Sequence, residues 1–327
     1  MTRSDAAQSA VRHFLDLDLL DATTLRGILE DAKAMKAGRT GLAKGAPDRK
    51  APLNGDLLLM IFQKSSTRTR ISFEVAMRQL GGAASDLDGS RLQLGRGESI
   101  ADTARVLSAY GDAIVLRTDH HKNLTEMAHY ASIPVINALT DHSHPCQLMA
   151  DMLTFEEANG PIKGQSVAWL GDGNNVATSM IHAAMRFDFR LRLACPSGHL
   201  PDADVLAAAK VEGADVAVTD DPVEAVKGAR AIYTDTWSSM GQERAPSELA
   251  PFEPYRVTTD LMAHAAPDAL FLHCLPAHRG EEVTDAVMDG PQSAVWAQAE
   301  NRFMRKRRFS IGALTGPANV AMGGIQP

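Results

Sequence analysis

The chain has 327 residues, 45% of them hydrophobic, and its 33 Lys and Arg against 40 Asp and Glu give a formal net charge of −7. This length is typical of roughly two domains with ordinary cores, which excludes a disordered chain and a small disulfide-stabilised protein. The acidic balance argues against nucleic acid as a partner. Three widely spaced cysteines and an N-terminal segment without an apolar signal core predict a cytoplasmic protein. The longest apolar run, Leu57–Phe62, is far shorter than the roughly 18 residues of a membrane span.

Short apolar runs alternate with segments of helical period along most of the chain, a pattern typical of parallel sheets covered by helices. The pattern predicts an α/β fold, with two parallel-sheet α/β domains joined by interdomain helices. The predicted strands, in chain order, are Asp56–Phe62, Ala113–Leu116, Pro134–Asn137, Ser166–Leu170, Leu191–Ala194, Asp215–Val218, Ala231–Thr234 and Ala269–His273.

A long helical stretch, Pro145–Ala158, lies between the third and fourth predicted strands. A stripe typical of a buried core recurs in it at helical spacing, at Leu148, Met152 and Phe155. We predict that this helix bridges two domains and place the boundary within it, at residues 1–150 and 151–300. Residues 301–327 are predicted to form a C-terminal helix and an irregular tail that return toward the first domain.

A cluster of hydroxyl and guanidinium side chains follows the first predicted strand, where residues 65–70 read Ser-Ser-Thr-Arg-Thr-Arg. The apolar pattern after it predicts a helix with Ser66 as N-cap. The first turn of a helix offers unpaired N–H groups and a partial positive charge, and Arg68 can grip two phosphate oxygens. A capped helix with solvated arginines is the alternative. Because the cluster lies at the carboxyl end of a parallel strand, where α/β proteins bind ligands, we predict a phosphate site.

Two further polar groups follow neighbouring strands. Arg117 ends the second predicted strand, and His144 precedes Pro145, a residue that suits the first helical position and leaves His144 at the cap. A cation and an imidazole beside a bound phosphate could stabilise an oxyanion on an adjacent carbonyl. Alone, each is more often a surface or capping residue. His142 and His144 also form a His-x-His pair, but without a third ligand nearby we do not predict a metal site.

The second half of the chain carries a glycine turn, residues 171–175, that resembles a dinucleotide-binding loop. The third glycine of that motif is absent, and the next strand ends in Cys195-Pro196 rather than an acid. We therefore expect a small polar ligand there, held by the amides of Asn174 and Asn175 if they do more than shape the turn. Asp235 and Cys274 follow later strands, and Cys274 alone is more often a buried small residue than a nucleophile.

The motifs taken together resemble the ornithine carbamoyltransferase family, in family order, over about residues 10–303. The stretches that carry the resemblance are residues 62–70, 93–99, 144–147, 172–175, 235–241, 273–276 and 299–302. After Arg302 the chain departs from the family pattern, because a basic run at residues 305–308 is soon followed by glycines.

The resemblance implies transfer of a carbamoyl group from carbamoyl phosphate to the side-chain amine of L-ornithine, in arginine metabolism, by a homotrimer that needs no metal or organic cofactor. The first domain would bind carbamoyl phosphate and the second ornithine. The residues implied for carbamoyl phosphate are Ser66, Thr67, Arg68, Thr69, Gln93 of a neighbouring subunit, Arg117, His144, Gln147, Cys274, Leu275 and Arg302. Those implied for ornithine are Asn175, Asp235, Ser239 and Met240, and the catalytic set is Arg68, Arg117, His144 and Cys274.

The attacking amine must be neutral, and its deprotonation at pH 7 costs roughly 4 to 5 kcal/mol for a group that titrates near pH 10.4, so we expect the rate to climb with pH. We expect the leaving phosphate to accept the amine proton. The alternatives are another amine acceptor (putrescine, an acylated ornithine or aspartate), a dinucleotide-dependent dehydrogenase, and a non-catalytic binding protein. Asp235 suits a substrate ammonium and so disfavours aspartate.

Overall fold

The structure is a computed structural model, which describes residues 11–64, 66–88, 97–238 and 244–302. Nine strands occur in these ranges: β1 Leu57–Phe62, β2 Ala83–Asp88, β3 Ala113–Arg117, β4 Val135–Leu139, β5 Ser166–Leu170, β6 Arg190–Ala194, β7 Val216–Thr219, β8 Ala231–Thr234 and β9 Leu270–His273.

The helices are α1 Ala22–Ala37, α2 Thr67–Leu80, α3 Ile100–Ser108, α4 His121–Tyr130, α5 Pro145–Asn159, α6 Asn175–Phe187, α7 Ala203–Val211, α8 Pro222–Val226, α9 Pro246–Leu249, α10 Thr259–Met262 and α11 Asp285–Met288, with a 3-10 helix at Ala250–Tyr255. Residues 295–302 are helical as well. No helix among the described residues is both long enough and apolar enough to cross a membrane.

The strands form two parallel sheets, in the order β2-β1-β3-β4 and β7-β6-β5-β8-β9. The prediction of two parallel-sheet α/β domains is confirmed. Each of the eight predicted strands is present, with ends that differ by at most two residues. Central strands such as β1 are buried along nearly their whole length, which is why they read as continuous apolar runs.

Helix α5 joins the two sheets and is buried on every side from Pro145 to Glu156. It packs against β4 and α1 as well as α6, and one hydrophobic core runs past it, from Phe62 in the first sheet to Trp169 in the second. The predicted bridging helix is confirmed. Because α5 begins at the carboxyl edge of the first sheet, it carries its N-terminal residues directly to the cleft between the domains.

Candidate active site

The N-terminus of α2 lies at the carboxyl end of β1, as predicted. Ser66 is the N-cap residue, but its side chain caps no backbone N–H. Its Oγ instead accepts a hydrogen bond of 2.7 Å from Arg117 Nη1. The predicted N-cap position of Ser66 is therefore correct, but its side chain does not make the capping hydrogen bond that the sequence suggests. Its partner, Arg117, lies on β3, which pairs with β1, so a local sequence pattern does not reveal it. The first turn of α2 keeps its partial positive charge facing the cleft.

Three guanidinium groups converge on this helix end. Arg302 is almost fully buried, and its Nη2 donates to Thr69 Oγ1 at 3.0 Å. Burial, together with the positive charges of Arg302 and Arg68, lowers the pKa of Arg117 to about 10. Burial and the charge of Arg302 also lower the pKa of Arg68. A guanidinium group stays charged even so, and the site is therefore a concentrated positive region that favours an anion.

Two consecutive backbone carbonyls of the second domain face these arginines. Arg68 Nη2 donates to the carbonyl oxygen of Leu275 at 2.8 Å, and Arg302 Nη1 donates to that of Cys274 at 3.1 Å. Leu275 has φ +57°, in the left-handed region that a bulky residue rarely adopts. Such backbone strain is typical of functional sites, and here it accompanies a tight turn that presents both carbonyls to the first domain.

His144 and Gln147 occupy the start of α5 and are buried. His144 is the N-cap of α5 and Pro145 its first residue, as predicted, and the backbone N–H of His144 donates to Ser179 Oγ at 2.7 Å. Gln147 Nε2 donates to Asp151 Oδ1 at 2.8 Å, one turn further along the helix. Gln147 Oε1 is buried and accepts no hydrogen bond from the described part of the chain.

Asp151 belongs to the site although sequence reasoning missed it. It is fully buried, and its Oδ1 also accepts a hydrogen bond of 2.7 Å from Gln298 Nε2. Gln298 Nε2 also donates a hydrogen bond of 3.1 Å to the hydroxyl oxygen of Tyr233 in the second sheet. Burial raises the pKa of Asp151 to about 7, so its carboxyl group is substantially protonated at neutral pH. The signal available in the sequence is a single acid inside the apolar stretch of a buried helix.

Asp235 faces the cleft from the end of β8. Its Oδ1 accepts a hydrogen bond from the Cys274 thiol at 2.7 Å, and its Oδ2 accepts one from Asn174 Nδ2 at 2.9 Å. Burial, together with the neighbouring Asp235 carboxylate, raises the pKa of the Cys274 thiol well above its usual value. The thiol therefore stays protonated and acts as a hydrogen-bond donor to Asp235 rather than as a nucleophile.

The glycine turn after β5 is closed to a dinucleotide. The N–H of Gly173 donates to the carbonyl oxygen of His199 at 2.9 Å, and a Cβ at Gly173 would lie 2.2 Å from the backbone nitrogen of Pro201. The loop after β6 thus fills the space beside the turn. Asn174 caps α6, and Asn175 Nδ2 donates to the carbonyl oxygen of Thr140 at 2.6 Å, which ties α6 to the first domain.

Three site residues predicted from the sequence lie outside the described residues, namely Gln93, Ser239 and Met240. Hydrogen bonds link most of the remaining ones in two groups, Ser66 with Arg117, and Thr69, Arg302, Arg68, Leu275 and Cys274 with Asp235 through the 273–276 turn. His144, Gln147 and Asn175 bond to Ser179, Asp151 and Thr140 instead. Donor atoms of Asp235, His273 and Cys274 lie within 4.8 Å of one another. His273 Nδ1 already accepts a hydrogen bond of 2.9 Å from the N–H of Leu275, so this imidazole stabilises the turn at residues 273–276.

Comparison with known proteins gives matches over nearly the whole chain. Residues 12–157 match the family model described as the carbamoyl-P binding domain of aspartate/ornithine carbamoyltransferase, and residues 163–307 match its Asp/Orn binding domain. An ornithine carbamoyltransferase of Rhizorhabdus wittichii is 56% identical over 303 residues, 93% of this chain and 98% of that protein. One from Brucella suis is 56% identical over 91% of this chain and 94% of its own length. The solved ornithine carbamoyltransferase from Pyrococcus furiosus has a TM-score of 0.87 at 48% identity and covers 97% of this chain and 99% of its own.

The raised pKa of Asp151 predicts a pH-dependent stability. An acid whose pKa is about 7 in the folded chain and 3.8 in the unfolded chain stabilises the fold fully only below the lower value. This contribution decreases as the pH rises and is lost above pH 7 or so. We expect the free energy of unfolding of the native chain, minus that of Asp151→Asn, to fall between about pH 4 and 7 and then level off, as measured by urea denaturation. A difference that is constant with pH contradicts a neutral buried carboxyl group.

Proposed function

The chain belongs to the aspartate/ornithine carbamoyltransferase family, and on that basis we propose roles for its site residues. The enzyme transfers the carbamoyl group of carbamoyl phosphate to the side-chain amine of L-ornithine, giving L-citrulline and phosphate. The relatives do not favour another amine acceptor or a dinucleotide-dependent dehydrogenase. We assign carbamoyl phosphate to residues 1–150 and ornithine to residues 151–300, and we assign residues 301–327 to a segment that returns to the first domain.

The phosphate group binds at the N-terminus of α2. Ser66, Thr67 and Thr69 offer hydroxyl groups and backbone N–H groups there, and Arg68 supplies a planar pair of donors. The observation that supports this proposal most directly is the convergence of three guanidinium groups, those of Arg68, Arg117 and Arg302, on one helix end. A dianion placed among them offsets their mutual repulsion, and its attraction to the three positive charges contributes to the free energy of binding.

The carbamoyl group lies between α2 and α5 in this proposal. Arg117, His144 and Thr69 donate to its carbonyl oxygen and stabilise the negative charge that develops there during attack. Gln147 Oε1, buried and without a partner among the described residues, accepts a hydrogen bond from the carbamoyl NH2. Its orientation is fixed by the bond from Gln147 Nε2 to Asp151. Cys274 and Leu275 flank the reacting carbon, with Arg302 and Arg68 held at their carbonyls.

Ornithine binds on the second-domain side. Asp235 pairs with its α-ammonium group, while Asn175, Ser239 and Met240 complete the amino-acid end. The side-chain amine must lose a proton before it attacks, and at pH 7 this costs roughly 4 to 5 kcal/mol. The rate therefore climbs with pH, and the departing phosphate accepts the proton that the amine loses. The Cys274 thiol donates a hydrogen bond to Asp235 and so orients its carboxylate without neutralising it.

We propose a cytoplasmic homotrimer in which Gln93 reaches the site of a neighbouring subunit. The sequence carries only three, widely spaced cysteines, Cys146, Cys195 and Cys274, a count typical of a reducing compartment. Because each site needs a residue from another chain, a single chain is inactive in this proposal and the trimer is active.

Arg68→Ala tests the phosphate site. Loss of one preorganised cationic donor lowers kcat/KM by about 10²–10³, because the charge on the leaving phosphate and the oxyanion loses a partner. Citrulline formation at varied carbamoyl phosphate measures this. Arg78→Ala is the matched control, since Arg78 is exposed in the last turn of the same helix. A near-normal kcat/KM for Arg68→Ala contradicts the proposed phosphate site.

Asp235→Asn tests the ornithine site. Loss of the carboxylate charge removes a charge-assisted contact, and KM for ornithine should rise roughly 10- to 100-fold. KM for carbamoyl phosphate, bound by the other domain, should change little. Asp215→Asn, an exposed carboxylate of the same domain, is the control. Equal increases in both KM values would count against a separate role for Asp235.

Mixing of two inactive chains tests the trimer. Arg68→Ala and Gln93→Ala each damage every site in a pure assembly. In mixed trimers, some sites combine an intact Arg68 from one chain with an intact Gln93 from its neighbour. Activity should therefore appear after the two variants are dissociated and reassembled together, with a light-scattering mass of three chains. No recovery in assemblies shown to be mixed, or a single-chain mass, contradicts the shared site.

A further inference from the structure

A second group of ionisable side chains lies apart from the residues assigned to the substrates. We call it the His–Asp cluster: Asp16, Asp18, His142 and His182. Asp16 and Asp18 precede α1, His142 lies in the loop between β4 and α5, and His182 is on α6. The cluster thus brings together three segments of the chain. His142 precedes the bridging helix α5 in the sequence, and His182 follows it.

The donor atoms of the cluster face one another. His182 Nδ1 lies 3.1 Å from Asp16 Oδ1 and 3.9 Å from Asp18 Oδ1. His142 Nε2 lies 3.9 Å from Asp16 Oδ2. One atom each from Asp16, Asp18 and His182 falls within 4.8 Å of the others. A tetrahedral ion with ligands at about 2.1 Å places them about 3.4 Å apart, so small side-chain rotations bring Asp16, Asp18 and His182 into coordination distance. His142 completes the set by a larger rotation of its ring toward Asp16.

Two carboxylate oxygens in the cluster have unmet bonding capacity. Asp16 Oδ2 and Asp18 Oδ1 are buried atoms, and neither has a hydrogen-bond partner within the described ranges. The side chain of Asp16 is only 3% exposed and that of His182 only 4%. His182 and the N–H of Leu17 satisfy only the other oxygen of Asp16, Oδ1. Arg186 compensates the two carboxylates only in part, because its guanidinium group donates to the backbone carbonyl oxygen of Asp18 and to Glu212. A buried carboxylate without a full set of partners is costly, and a cation removes that cost.

The donor chemistry indicates which cation. Two imidazole nitrogens with two carboxylate oxygens suit Zn²⁺ and its neighbours in the first transition row, whereas Mg²⁺ and Ca²⁺ prefer oxygen alone. An entry path exists, since His142 is 39% exposed and Asp18 is 36% exposed on the solvent side. We propose that Asp16, Asp18, His142 and His182 form a binding site for one divalent transition-metal ion of the Zn²⁺ class.

The position of this site gives the ion a structural consequence. The loop that carries His142 also carries His144, and α6 begins at Asn175, so both segments reach the active site. They already touch through the bond from the His144 N–H to Ser179 Oγ. A bound ion adds a second link between this loop and α6, and it fixes both to the segment before α1. A bound metal ion therefore stabilises the junction between the domains by holding the segment before α1 against α6 and the loop before α5.

Cobalt binding tests the proposal, because four-coordinate Co²⁺ absorbs visible light and thiolate ligands add a distinct charge-transfer band. The titration uses full-length Cys274→Ala protein stripped with a chelator, which removes the thiol of the other donor set near Asp235. We expect one Co²⁺ per chain with four-coordinate absorption and displacement by Zn²⁺. Zn²⁺ should also raise Tm in a concentration-dependent manner.

His142→Ala in the same background should weaken Co²⁺ binding at least 10-fold, since even loss of an outer-shell partner costs about 10- to 100-fold. This variant is the one least expected to disturb folding, because the side chain is partly exposed, and His182→Gln provides a second variant. His129→Ala, an exposed histidine of α4, is the control and should bind as the parent does. Absence of Co²⁺ absorption, or unchanged affinity in His142→Ala, overturns the proposal. Binding lost only in His278→Ala overturns it too, because it assigns the ion to the donor set at His278, Glu281 and Glu282.

Discussion

Mutual repulsion among Arg68, Arg117 and Arg302 is the constraint on which the rest of the site depends. Burial and the neighbouring positive charges both lower the pKa of Arg117 and of Arg68. The fold holds the three in place with neutral acceptors rather than carboxylates: Ser66 Oγ and the backbone carbonyls of Cys274 and Leu275 receive their hydrogen bonds. A carboxylate partner would stabilise the empty site and compete with the substrate. Neutral acceptors orient the guanidinium groups while leaving their charge for a bound anion.

Support for this charge comes from the bridging helix. Asp151 is the carboxyl group that α5 places in the interior behind the site, and desolvation raises its pKa to about 7, although Arg302 opposes the shift, so a substantial fraction is neutral near pH 7. A fully charged Asp151 would cancel part of the positive field, whereas a neutral one serves mainly as an acceptor for Gln147 and Gln298. Those two amides come from different domains. The position of Gln147 therefore depends on the packing of the second domain, because Asp151 links it to Gln298.

Sequence reasoning succeeds where a pattern is local and fails where a partner is distant. Strands such as β1 are found because burial in a parallel sheet demands an apolar run. Strand β2, Ala83–Asp88, is not predicted, since it lies at the sheet edge and contains only small and acidic residues apart from Leu87. The N-cap position of Ser66 follows from the neighbouring residues, yet its bond to Arg117 depends on which strands pair. Asp151 was missed for a related reason: its protonation follows from complete desolvation, and nothing in the adjacent residues reports how deeply a helix is buried.

The side of the cleft proposed for ornithine differs in its charge from the side proposed for the phosphate. On the ornithine side a single carboxylate, Asp235, is fixed by two neutral donors, the Cys274 thiol and the Asn174 amide. An acceptor that carries an additional side-chain carboxylate would meet that negative charge at short range, whereas an ammonium group is attracted to it. The turn that carries Asn174 is closed on its other side by the loop that reaches Gly173, so no dinucleotide fits along it. In the proposed site, therefore, one negative charge favours an ammonium group over a carboxylate beside it, and the closed turn leaves no space there for a larger ligand.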